Sequence, residues 1–232
     1  PFGGYPSLIE MLFTAGLLLK GPAVAQALHW SFGVFVLLLL YTLVRRYFGA
    51  QVAWFSLALL VSVPAIVGQL SWAYVGIALM YFSLAAVYAA LRWQETDDAR
   101  WLLLAGAFGG FAMGVKYTGV VVVGVTCLFV LWCSQPRGLA ATGRNLLMVG
   151  LPALALTVPW LARNWAFTGN PVAPFVFPTI GWDIFRQEFY AQPGSGLASV
   201  APWRLLTAPW DMTMQPSESI EGFGSDIGPL LL

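Results

Sequence analysis

Residues 101–133 form one apolar tract of 33 residues that holds a single charge, Lys116, and is interrupted by Gly109, Gly110, Gly114 and Gly119. One membrane span needs only about 20 apolar residues, so the tract is too long for one crossing. It reads as two short helices that turn near Lys116. A helix of about 15 or 16 residues covers only about 24 Å, against roughly 30 Å of hydrocarbon. The turn is therefore expected to sit below the membrane surface, with a lysine in it.

Composition removes the soluble alternatives. The chain is 59% hydrophobic and 9% charged, against about 25% charged residues in an ordinary soluble domain. A formal charge of +1 supplies no basic field for a nucleic-acid backbone, so nucleic acid is not an expected partner; the lipid bilayer is. Cys127 and Cys133 lie in one apolar run and His29 is the sole histidine, so neither a disulfide framework nor a Cys/His metal site is expected. No dinucleotide glycine motif or P-loop appears, and no cofactor is expected.

Further apolar runs bounded by charges, Pro or Gly predict spans at 24–44, 50–68, 71–91 and 145–161, the last with Pro152 and Pro159 inside it. Residues 6–19 are too short to cross and predict an interfacial or re-entrant helix, with Ser7 as cap and Glu10 in the capping-box position. Gly228-Pro229-Leu230-Leu231-Leu232 resembles the start of another span. The expected fold is all-α: a polytopic transmembrane bundle of about six full spans and two partial ones. Residues 1–161 form the bundle, 162–226 an extracytoplasmic loop segment, and 227–232 the next span's beginning. With its first residue Pro1 and its last Leu232 inside an apolar stretch, the chain reads as an internal piece of a longer membrane protein.

Arg45, Arg46, Arg92, Arg100, Arg137 and Arg144 fall in short loops on one side, whereas the opposite short loops carry Lys20 and Lys116. By the positive-inside rule the arginine side is cytoplasmic. Glu10, Lys20, Lys116 and 162–226 then face outward, as expected for a bacterial inner (plasma) membrane. Trp30, Trp72, Trp93, Trp101, Trp132 and Trp160 lie near span ends, where an aromatic belt belongs. In the outer segment, Trp182, Phe185 and Phe189 recur at helical spacing and predict a short amphipathic helix.

Chemistry is sought where charge meets the bundle. A lysine between short, glycine-broken helices is costly in a membrane unless it lines a polar cavity or meets an anion. Lys116 is thus a phosphate-ligand candidate, with a snorkelling helix-end lysine as the bland alternative. At the exit of the 145–161 span, Arg163 and Asn164 suit a phosphate or sugar hydroxyls; the alternative is that Arg163 only anchors the helix end and Gly169-Asn170-Pro171 is a turn. Glu10 is a candidate for a catalytic or sugar-binding carboxylate, with capping as the competing role. His29, beside Trp30, fits a hydrogen-bonded structural histidine. Asp97 and Asp98 fit a solvated face rather than a metal pair.

Taken together, Tyr5-Pro6 with Glu10, Ala27-Leu28-His29-Trp30, Phe32-Gly33, Gly114-Val115-Lys116-Tyr117-Thr118-Gly119, Pro159-Trp160 through Arg163-Asn164 to Thr168-Gly169-Asn170-Pro171, and Gly228-Pro229 resemble the GT-C glycosyltransferases of the protein O-mannosyltransferase and aminoarabinose-transferase type. The resemblance implies transfer of a sugar from a polyprenyl-phosphate donor at the outer face by inverting displacement. It places Lys116, Tyr117, Arg163 and Asn164 at the donor phosphate, and Tyr5 and Asn170 in the substrate cavity. Relatives commonly carry an acid in the first outer loop, which would precede Pro1, and many carry Asp after Ala-Tyr-Val, where this chain has Gly76 after Ala73-Tyr74-Val75. The alternative is a non-catalytic GT-C-like subunit acting as scaffold in a larger membrane complex. A transporter ranks behind both, because no inverted repeat is visible.

Overall fold

The computed structural model describes residues 5–173, which are helical and contain no strand. The helices are α1 (Leu8–Lys20), α2 (Pro22–Phe48), α3 (Ala50–Val61), α4 (Pro64–Ser71), α5 (Gly76–Thr96), α6 (Arg100–Val115), α7 (Gly119–Ser134) and α8 (Leu139–Thr168), with a single 3-10 turn at Gln135–Arg137. The expected amphipathic helix around Trp182 and the start of a span at Gly228 lie outside the described residues.

Four helices are long and apolar enough to cross a membrane: α2, α5, α7 with its 3-10 extension, and α8. The run 50–68, expected as one span, is broken at Ser62-Val63: α3 and α4 meet at 69° and make either a bent fifth span or a re-entrant loop. Pro64 is the cause, since proline lacks the N–H a continuing helix needs and sits well at a first helical turn. The six expected full spans thus resolve into four, a bent pair and the short α6 of 16 residues. The division of 101–133 falls where expected. Lys116 leaves α6 in an extended conformation (φ −158°, ψ 146°), and α7 restarts at Gly119. In contrast, α8 runs unbroken through Pro152 and Pro159 to Thr168, so Arg163 and Asn164 lie within a helix rather than beyond its end.

Gly21, at φ +80°, turns α1 back onto the start of α2, where a side chain at Gly16 would press on the backbone of Ala25. Ser7 stands at the N-cap of α1 but makes no side-chain capping bond. The expected capping box therefore does not form, and Glu10 is not held by it.

Without a hydrophobic drive between helices in lipid, association depends on close packing by small residues. Gly106, Gly110 and Gly114 recur every fourth residue along α6 and face α8. A Cβ at these positions would lie 2.1 Å from the Val149 carbonyl oxygen, 2.9 Å from that of Ala153 and 3.0 Å from Trp160 Nε1. Gly119 likewise admits the backbone of Ala112, at 2.3 Å. Buried Ala85, Ala86, Ala89 and Ala90 give α5 a similarly slim face. Between α2, α5 and α6 the core is aromatic, with Phe32, Tyr81, Phe82, Phe108 and Phe111 in successive ring contacts of 5.3–6.5 Å.

Trp93 departs from the expected belt. It is 1% exposed and packs with Leu102, Val130 and Val149, while Trp72 and Trp132 are 78% and 76% exposed. The Arg137 guanidinium covers the Trp93 ring at 5.3 Å and pairs with Asp97. This end of the bundle is closed by ion pairs, with Arg46 and Arg92 sharing Glu95. The arginine-bearing loops after α2, α5 and α7 therefore lie at one end, and the turn at Lys116 lies at the other.

Candidate functional site

At the end opposite the arginines a side-chain hydrogen bond joins two distant segments. Lys116 breaks α6, which swings Tyr117 toward α8, and Asn164 donates from Nδ2 to the Tyr117 hydroxyl at 2.7 Å. That hydroxyl donates onward to the Ala173 carbonyl at 3.0 Å. The ring of Tyr5, before α1, tilts against that of Tyr117 with centroids 6.0 Å apart.

The Thr168-Gly169-Asn170-Pro171 segment closes the far side. Gly169 ends α8 in the left-handed conformation, φ 67°, where glycine pays no Cβ penalty. Thr168 donates to the carbonyls of Asn164 and Asn170 at 2.7 and 3.1 Å. Asn170 Oδ1 then accepts from the Val172 N–H at 3.0 Å, an Asx-turn that explains an asparagine before proline. Asn164 and Asn170 are both buried. Fully buried amides are retained when their hydrogen bonds specify one geometry. Here Asn164 holds the last turn of α8 against the Lys116 turn, and Asn170 fixes the turn that follows α8.

Lys116 and Arg163 are exposed at this end, and each immediately precedes a member of the Tyr117–Asn164 pair. Arg163 lies near enough for its charge to act on the Tyr117 hydroxyl. Tyr5, Tyr117 and Asn164 thus come together, Asn170 lies in the turn just after them, and Lys116 and Arg163 are their chain neighbours. Glu10 does not join them through any contact in the described residues. It lies on α1, two residues past Leu8, which packs near Gly114; its side chain keeps access to solvent, yet the protein atoms around it desolvate the carboxyl and push it above the usual value of 4.5. Among the described residues no three His, Cys, Asp or Glu side chains converge as a metal site would require.

A second polar cluster tethers the bent segment. His29 is fully buried and its Nε2–H donates to the Gln69 carbonyl at 2.8 Å, while Gln26 donates to the Ser71 carbonyl at 3.1 Å. Sequence reasoning had no signal for these partners, which come from α4 forty or more residues away. At Gly76 a Cβ would fall 1.9 Å from Gln69 Oε1, so any side chain there has to displace the Gln69 amide.

Long apolar helices packed through glycine and alanine, with polar chemistry gathered at one end, define an integral membrane protein. The particular family follows from comparison: the chain matches the dolichyl-phosphate-mannose-protein mannosyltransferase family over residues 11–162 and belongs to it. It is therefore a membrane glycosyltransferase of the GT-C type. No curated protein and no solved structure matches the chain. Lys116 and Tyr117 lie within the matched residues, whereas Tyr5, Glu10, Arg163, Asn164 and Asn170 lie beyond them.

Proposed function

We propose that the chain takes a sugar from a polyprenyl-phosphate donor at the outer face of a bacterial inner membrane and passes it to an acceptor by inverting displacement. The observation that carries this reading is the Tyr117–Asn164 hydrogen bond. It joins two chain segments far apart in sequence so that Lys116 and Arg163 serve one end of the bundle. Two cations at a membrane boundary, next to buried amides, suit an anion delivered by a lipid.

In the displacement, an acceptor oxygen bonds to the anomeric carbon from the face opposite the phosphate. The carbon–oxygen bond to phosphate breaks, and its electron pair leaves with the lipid phosphate. Lys116 and Arg163 stabilise the negative charge that develops there. The acceptor's proton passes to a carboxylate base; Glu10 is the candidate in this chain. Tyr5 and Asn170 form the cavity wall. The arginine-rich end, by the positive-inside rule, supports the outward orientation of Lys116.

Lys116→Ala and Arg163→Ala test this in detergent-solubilised protein supplied with a polyprenyl-phosphate sugar. Losing one donor to a developing charge is expected to cut turnover by about 100-fold or more, with thermal stability unchanged because both side chains are exposed. Wild-type turnover and lipid-phosphate binding in both variants would remove the site assignment.

A further inference from the structure

At the arginine end, α2 and α5 part to form a cleft of about 610 Å³ lined by Tyr41, Thr42, Arg45, Arg46, Tyr88 and Glu95. Its volume lies within the roughly 300–1,000 Å³ of small-molecule sites. We propose that it binds the head group of an anionic phospholipid.

Charge is the first reason. Arg46 grips Glu95 through Nε and Nη2, with Nε contacts of 2.8 and 3.1 Å to the two carboxylate oxygens. Arg92 joins the same carboxylate. Arg45 has no acidic partner among the described residues and instead lies 5.9 Å from the Tyr41 ring centroid. Two guanidiniums, Arg46 and Arg92, thus share one carboxylate while Arg45 has none, which leaves the cleft cationic. Arg137 at the same end is different, being neutralised by Asp97. Topology alone asks only for positive charge near the membrane; it does not ask for an unpaired arginine in a walled cleft.

The second reason is preorganisation. Glu95 fixes the Arg46 plane, and the ring of Tyr41 backs Arg45. A planar guanidinium suits a phosphate diester, which it meets with two parallel N–H donors; the Nε–Nη2 edge of Arg46 is taken by Glu95, so Arg45 is the one that offers them. Tyr41 and Tyr88 add hydroxyls to the same wall.

The third reason is what lies next to the cleft along the membrane normal. Leu38, one turn before Thr42, and Val34, one turn before that, are 59% and 47% exposed, and exposed Trp54 tilts against Tyr41 with ring centroids 5.0 Å apart. A polar cleft that continues into an apolar stripe fits an amphiphile with its charge in the cleft and its acyl chain on α2. A free anion has no use for the stripe.

The test is native mass spectrometry of the purified chain titrated with phosphatidylglycerol or with phosphatidylcholine. One phosphatidylglycerol is expected to bind in preference, and Arg45→Gln to weaken it at least about tenfold. Arg45→Lys, which keeps the charge, is expected to restore part of the loss, and Arg137→Gln to leave binding unchanged. Equal affinity for the two lipids overturns the proposal. So does an equal loss in Arg45→Gln and Arg137→Gln, which would reduce the effect to bulk charge, or displacement of the lipid by inorganic phosphate alone. Arg45 plays no part in the transfer site, so failure here leaves that site untouched, and the reverse.

Discussion

Gly106→Ala adds one methyl group at the tightest point between α6 and α8. The new Cβ would stand 2.1 Å from the Val149 carbonyl oxygen, more than an ångström inside ordinary contact. Because the obstacle is backbone, and Val149 is fully buried, no side chain can rotate to make room; the helices have to separate. Overpacking of this kind costs about 1–3 kcal/mol, from which alanine's better helix propensity returns about 0.5–1 kcal/mol. A backbone clash this deep belongs at the upper end of that range, so the net loss is about 2 kcal/mol, or a fall in Tm of about 4–8 °C for a domain of this size. Gly124→Ala is the internal comparison, since it also lies in a helix interior but has nothing within 4 Å of its Cβ. There the propensity gain stands alone, so Tm should hold or rise slightly. Thermal unfolding of both variants in one detergent, followed by intrinsic fluorescence, decides the matter. A Gly106→Ala protein as stable as Gly124→Ala would refute the claim that the α6–α8 approach depends on a missing side chain.

Tyr117→Phe leaves Asn164 Nδ2 and the Ala173 carbonyl without their shared hydroxyl, and should cost about 1–3 kcal/mol in denaturant unfolding as well as lowering donor affinity. His29→Leu strips the Gln69 carbonyl of its partner; hydrogen exchange in α4 should accelerate while exchange in α8 does not change. Trp93→Ala empties a fully buried site and should destabilise the bundle by about 3–5 kcal/mol, seen as a lower unfolding midpoint. Because the Glu10 carboxyl is raised above 4.5 in the fold, its protonated form favours folding. Its contribution is present below 4.5 and is lost as pH rises through the raised value. Glu10→Gln should flatten that part of a stability-against-pH curve, and an unchanged slope would show that Glu10 is not the group responsible.

Helices governed by local signals were legible in the sequence. The lone lysine and flanking glycines of 101–133 place the turn correctly. Where competing signals met, tertiary context decided. Pro64 breaks a run that hydropathy alone joins, while Pro152 and Pro159 do not break α8, because proline removes single hydrogen bonds that packed neighbours and small local adjustments can offset. The four-residue recurrence of Gly106, Gly110 and Gly114 was a readable sign of close helix packing, yet nothing local names α8 as the partner. At the site, the residue types of Lys116-Tyr117 and Arg163-Asn164 were visible as two separate motifs. Their union through one phenol and one amide was not, since it requires α8 to continue past residue 161 and bring Asn164 level with the turn.

The shortness of α6 has a consequence for the surrounding lipid. Its 16 residues rise about 24 Å, roughly 6 Å less than an average hydrocarbon layer. Such mismatch costs fractions of a kcal/mol per ångström and is relieved by local thinning or by snorkelling side chains. With short acyl chains, Lys116 reaches the head-group plane without deforming its surroundings; with long chains the bilayer must dimple to bring water and phosphate down to it. Acyl-chain length therefore sets how readily an anion in the head-group layer can reach this lysine, making the thickness of the host membrane a property that the Lys116 end of the bundle senses.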